Sequence, residues 1–275
     1  MYRFLFSRQW LAWFVMVLVI AAGCVALGRW QLDRRAAVVE DIQRIEANYD
    51  AAPERYVSGE NGFDDFDPSR EWFPVTFEGT YDVENQVVAR NRPLNGQPGY
   101  EVLTPLRLDD GTAVIIDRGW LPIGNIEAGR PDAVPAPPAG RVEVTARVRP
   151  GEPAVNRDAP DGQVASIDLT AIAAGLDYPL QDAAYGALAL ERPAAADTPI
   201  APPKPSIDEG AHLSYSLQWF AFGVLAFVGL GYAARAQRRS NAELDGTAEV
   251  QPSRQRRRPT AEEEEDAILD SQGMR

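Results

Sequence analysis

The chain has 275 residues, with 40 acidic side chains against 27 basic ones, one His and one Cys, for a net charge of −13. A single thiol excludes an internal disulfide, a Cys-x-x-Cys redox pair and a structural zinc site, and a single imidazole excludes multi-His metal centres. The negative balance opposes a nucleic-acid partner, because phosphate binding needs a basic surface that releases counterions.

The charge is unevenly placed. Residues 1–28 hold two Arg and no acid, residues 29–209 hold 17 basic and 31 acidic side chains, and residues 210–275 hold eight and nine. Residues 1–8 read as a short N-terminal segment. Residues 9–28 are twenty uncharged positions, which at ~1.5 Å per residue cross a roughly 30 Å hydrocarbon core as a first transmembrane helix. The tract Ile20-Ala-Ala-Gly-Cys24 also resembles a lipobox that would be cut before Cys24. The apolar run continues to Leu27, however, and a small buried residue in a membrane helix is the simpler role for Cys24. Beyond Gly28, apolar residues at Leu32, Ala36, Val39, Ile42 and Ile45 keep helical spacing, so the helix is expected to extend past the membrane.

The acidic tract Gly59–Pro68 does not have the spacing of an EF-hand and reads as a solvated loop. From Trp72 the period changes to two. Phe73, Val75 and Phe77 alternate with polar or turn residues, as do Val142, Val144, Ala146 and Val148, which is the pattern of half-buried strands. Further strands are expected at Gln86–Arg90, Tyr100–Leu106, Thr112–Arg118, Val164–Ile167 and Gly186–Glu191. Asn85, Asn95-Gly96 and Asp109-Asp110-Gly111 supply the turn chemistry between them. One short helix is expected at Leu169–Ala174, with Asp168 as its N-cap and Gly175 as its stop. Pro131–Gly140 reads as a proline-rich loop, and residues 193–205 as an extended linker back to the membrane.

Residues 210–234 form a second uncharged run, and residues 235–275 a disordered tail with a basic block at Arg254–Arg258. Arg235, Arg238 and Arg239 beyond that run, against Asp208 and Glu209 before it, put both termini in the cytoplasm. The expected fold class is therefore a membrane protein with two transmembrane α-helices flanking a small, mainly antiparallel β (α+β) extracytoplasmic domain, residues 29–209.

His212 stands at the outer mouth of the second span. His212, Tyr215, Trp219, Phe222 and Ala226 follow spacings of three or four and form one helical stripe. Two roles fit it. The commoner is a structural belt at the membrane interface; the other is a wall for a haem, with imidazole on the iron and Arg29, Arg34 and Arg35 available for the propionates. In the outer domain, Arg90, Arg92, Tyr100, Arg118 and Trp120 are candidates for binding a partner. The alternative is that these Arg residues fix strand ends by pairing with Asp117, Glu101 or backbone carbonyls. No paired carboxylates, phosphate loop or nucleophile with its base is present, so the chain does not read as an enzyme.

Four tracts occur in one order along residues 10–239: Leu27-Gly-Arg-Trp-Gln-Leu-x-Arg34, Gly99-Tyr-Glu-Val-Leu-Thr-Pro-Leu106, Asp117-Arg-Gly-Trp-Leu-Pro122 and His212-Leu-Ser-Tyr-Ser-Leu-Gln-Trp-Phe220. Together with the two-span layout they resemble the Surfeit locus protein 1 family of cytochrome c oxidase assembly factors. The resemblance implies an assembly factor in the cell membrane that supports maturation of oxidase subunit I and binds or hands over haem a transiently. On that reading His212 ligates the haem iron and Tyr215, Trp219, Arg29, Trp30 and Arg34 complete the cofactor-binding set. Haem a synthase or a respiratory supercomplex are further expected partners. The alternative is a stable accessory subunit of an oxidase or supercomplex with no haem role. The acidic tract at Gly59–Pro68 and the tail depart from the family pattern. The usage of 26 Arg against one Lys points to a GC-rich genome, as in actinobacteria.

Overall fold

The computed structural model describes residues 3–244, which divide into two compact units, one of residues 3–32 with 212–244 and the other of residues 33–211. Three α-helices are present among them: α1 (Arg8–Asn48), α2 (Leu169–Ala173) and α3 (His212–Leu244). The strands are β1 (Glu54–Arg55), β2 (Pro74–Tyr81), β3 (Val87–Arg90), β4 (Gly99–Leu108), β5 (Ala113–Pro122), β6 (Arg141–Pro150), β7 (Gln163–Val164) and β8 (Ala184–Arg192). The basic block at Arg254–Arg258 lies outside the described residues.

In the first unit α1 and α3 are both long and apolar enough to cross a membrane. Their exposed surface is rich in apolar side chains, among them Leu11, Val15, Leu18, Val19, Leu217, Val224, Leu225 and Val228. Such a surface has no favourable state in water, which points to a membrane protein. The helices meet through small residues. Val17, Ala21, Cys24, Gly28 and Gln31 form the covered stripe of α1, and Ser216, Gly223 and Ala226 lie on that of α3. A Cβ at Gly28 would lie 2.7 Å from the Phe220 ring, so only glycine permits this approach. Small contact residues and an interhelical hydrogen bond replace the hydrophobic drive that lipid cannot supply. α3 runs on past the apolar stretch to Leu244 and so includes Arg235–Leu244, which the sequence assigned to the tail.

The second unit begins with the rest of α1, the extension that its apolar spacing foretold. Asn48 caps the helix onto the domain by donating to the carbonyls of Ser69 and Glu71 at 2.7 and 2.8 Å. Arg44 reaches Glu71 at 3.2 Å. The strands form one sheet in the order β1-β2-β6-β8-β5-β4-β3-β7, and an added β2–β4 pairing closes β2, β6, β8, β5 and β4 into a five-stranded barrel. Every barrel pairing is antiparallel except β5–β8. This connectivity is that of an OB-type barrel, a scaffold shared by unrelated functions.

Alternation along the strands fills the interior with Val75, Phe77, Leu106, Val114, Ile116, Val144 and Val148. The reverse face of β4 and β5 packs Leu103 and Ile115 against Ile167 and Leu169 at α2. Asp168 caps α2 by accepting from Ala171 N–H at 3.1 Å, as its position before the helix implies.

Two segments are more firmly held than their composition suggests. The acidic tract sends Phe63 into the barrel core, edge-on to Phe77 with ring centroids 5.1 Å apart. The proline-rich stretch 193–205 is pinned at Ile200, which exchanges two backbone hydrogen bonds with Trp120 at 2.8 and 2.9 Å. Gly119 makes this docking possible. Its φ is +125°, and a Cβ there would lie 2.6 Å from the Ile200 carbonyl oxygen.

Candidate functional site

His212 opens α3. Its Nδ1 lies 3.0 Å from Oε1 of Gln31 on α1, and both side chains are half-buried. The next turn of α3 is fixed by Ser216, fully buried, whose hydroxyl donates to the Gly28 carbonyl at 3.0 Å. The glycine contact with Phe220 therefore sets the spacing that lets Gln31, one turn along α1, reach the imidazole.

The stripe read from spacing divides in two. His212, Trp219 and Ala226 lie on the covered side of α3, with Ser216 and Gly223 between them. Tyr215 and Phe222 are 52% and 45% exposed. Trp219 and Phe222 still meet edge-on, with ring centroids 5.9 Å apart. On α1, Arg29 is exposed and Trp30 is 59% exposed. Arg34 and Arg35 fall on the part of α1 in the second unit. Arg34 is exposed, whereas Arg35 is held by Glu209 at 2.7 Å. The first unit thus offers a half-buried imidazole at His212, exposed aromatic rings at Tyr215 and Trp30, and an exposed cation at Arg29.

The outer-domain candidates are largely engaged within the fold. Arg92 makes a two-pronged pair with Glu152 at 2.7 and 2.6 Å and brings its Nε within 3.2 Å of Glu101. Its carbonyl accepts from the Trp120 indole at 2.6 Å. Tyr100 and Trp120 are buried, and Arg90 is half-buried. The Arg118 side chain has no exposed surface. It donates to the Pro135 carbonyl at 2.8 Å and lies 3.9 Å from Glu191, which accepts from Tyr81 at 3.1 Å. The strand-end role considered for Arg92 and Arg118 thus has concrete partners.

The same cluster holds carboxylates whose acidity is displaced. Burial pushes the Asp117 carboxyl up to about 7, with nearby Glu101 adding to the rise. Glu101 is itself raised, by burial first and then by Glu152, against the pull of Arg92 and Arg149. Glu152 is lowered, because Arg92 hydrogen-bonds its charged form. Burial also raises the Tyr81 and Tyr185 phenols.

Sequence reasoning passed over Gln31, Ser216, Glu152 and Glu191. Gln31 continues the stripe Val17, Ala21, Cys24 and Gly28 at alternating steps of four and three, and that spacing is the signal that would have found it. The two glutamates gave no local signal, since each meets its partner only through the barrel.

Residues 18–224 match the SURF1 family. Uncharacterized SURF1-like proteins of Mycobacterium tuberculosis and Mycobacterium bovis are 34% identical to the chain over 255 residues, covering 87% of it and 90% of each relative. A SURF1-like protein of Dictyostelium discoideum is 31% identical over 107 residues, covering 37% of the chain and 38% of the relative.

Proposed function

Because the chain belongs to the SURF1 family, known as cytochrome c oxidase assembly factors, we propose that it supports maturation of oxidase subunit I and handles haem a transiently at His212. The observation that carries this reading is the pairing of His212 with Gln31 at the start of α3, in a chain that matches the family over most of its length. The residues suit the cargo. A neutral imidazole is an iron ligand, exposed aromatic rings at Tyr215 and Trp30 offer apolar faces, and Arg29 supplies a cation for a propionate. Haem a, once delivered, supplies the oxidase with its redox iron. The chain's own part is to hold the porphyrin at the membrane surface and keep it from water until subunit I takes it.

In this reading both termini are cytoplasmic, the β unit lies outside the cell membrane, and subunit I is the principal partner, with haem a synthase as donor. The arginine cluster of the β unit serves the fold, which leaves its acidic exterior as the face toward partners.

The test is to delete the gene, purify the oxidase and measure haem a per subunit I, then restore the wild-type chain or His212→Ala. The expected result is a several-fold loss of haem a that the wild type reverses and the variant does not. Full haem a content in the deletion strain, with the chain present stoichiometrically in mature oxidase of the parent, would support an accessory subunit instead.

A further inference from the structure

We infer that Gln31 is a positioning residue that holds His212 in the tautomer able to ligate iron. The inference rests on the haem reading of His212 and adds to it the group that prepares the ligand.

An amide oxygen can only accept a hydrogen bond, so the contact between Gln31 Oε1 and His212 Nδ1 at 3.0 Å places the proton on Nδ1. The neutral ring has one N–H, which leaves Nε2 with its lone pair. Nε2 lies across the ring from Gln31, and the hydrogen bond also restrains rotation of the ring about its Cβ–Cγ bond. This is the arrangement by which metal-ligating histidines are commonly prepared, with the remote ring N–H donated to a carbonyl or carboxylate that fixes tautomer and orientation. Without an acceptor at Nδ1 the ring would populate both tautomers, and only one of them offers Nε2.

The helix packing supplies the rigidity that such a device requires. Gln31 occupies the α1 stripe immediately after Gly28. Gly28 is fixed against Phe220 by close contact and against Ser216 by a hydrogen bond to its carbonyl. His212 lies one turn before Ser216 on α3. Each partner of the Gln31–His212 pair is thus one turn from a tight interhelical contact, so neither helix can slide without breaking it.

The composition makes the test unusually clean, because His212 is the only imidazole in the chain. The full-length protein, carrying a tag free of histidine, is labelled with 15N-histidine and examined in detergent micelles at alkaline pH. The expected spectrum shows a protonated Nδ1 and an unprotonated Nε2, and Gln31→Leu, similar in size but without the acceptor, shifts the signals toward the opposite tautomer. Ferric haem b titrated into the same samples should bind Gln31→Leu about tenfold more weakly than wild type, with Gln31→Glu retaining affinity because its carboxylate also accepts from Nδ1.

Protonation on Nε2 in the wild type overturns the inference. So does unchanged haem affinity in Gln31→Leu when His212→Ala abolishes binding, and in that case the haem reading stands. A wild-type chain with the expected tautomer that takes up no haem overturns the haem reading, and with it the purpose assigned to Gln31.

Discussion

Arg118→Met is expected to lower the stability of the β unit by about 3–5 kcal/mol, the range for breaking a buried ion pair by removing one partner. The guanidinium is wholly enclosed, donates to the Pro135 carbonyl and faces Glu191, itself only 6% exposed. With Arg118 gone, Glu191 keeps the Tyr81 hydroxyl but loses the nearby cation, and a carboxylate inside an apolar barrel has no solvent to replace it. For a unit of this size the loss corresponds to a fall in Tm on the order of 10 °C, measured on the full chain in detergent by near-ultraviolet circular dichroism. Adding Glu191→Gln should recover much of it, since the amide still accepts from Tyr81 and carries no charge. A single variant as stable as wild type would return Arg118 to the list of residues available for a partner.

The second large effect runs the other way and depends on pH. Asp117 is 3% exposed, and its carboxyl is pushed from the ordinary 3.8 up to about 7. The folded state therefore holds a proton that the unfolded state releases above pH ~4. The stabilisation from protonated Asp117 is present below the unfolded value, falls away as pH rises toward about 7, and is absent beyond it. Asp117→Asn should mimic the protonated group at every pH and retain an acceptor for the Gly119 N–H, 3.0 Å away. The variant is thus expected to match wild type near pH 4 and to exceed it at pH 8 by about 2–4 kcal/mol, taking about 1.4 kcal/mol per pKa unit as the upper bound. Denaturant titrations of both proteins across that range check it. A wild type that gains on the variant as pH rises would mean that Arg92 and Arg149 hold Asp117 ionised in the fold.

These two residues show which kinds of information local sequence contains. The uncharged runs, the period-two strands and the Asp168 cap were legible because each reports a neighbour relation of a few residues. The extension of α1 to Asn48 was legible for the same reason. The choice between a closed barrel and a sandwich was not, because the β2–β4 pairing joins strands whose alternation suits both equally well. Phe63 and Ile200 were hidden in tracts whose acid or proline content signals solvent or spacer. Asp117 and Arg118 are adjacent in one strand, yet they face opposite sides of it. Arg118 meets Tyr81 and Glu191 inside the barrel, and Asp117 falls under the charges of Glu101, Arg92 and Arg149 outside it. Spacing gave His212 its place at the helix start, but the separation of Tyr215 from the covered face depends on where α1 lies, which no period within α3 records.

The central claim is that His212 is the haem contact, and the visible spectrum of the protein purified from cells that make haem a tests it most directly. Wild type is expected to carry a Soret band that His212→Ala loses, with Arg118 and the barrel left intact in both. A wild-type preparation without haem, or a variant that carries as much as wild type, would contradict the account.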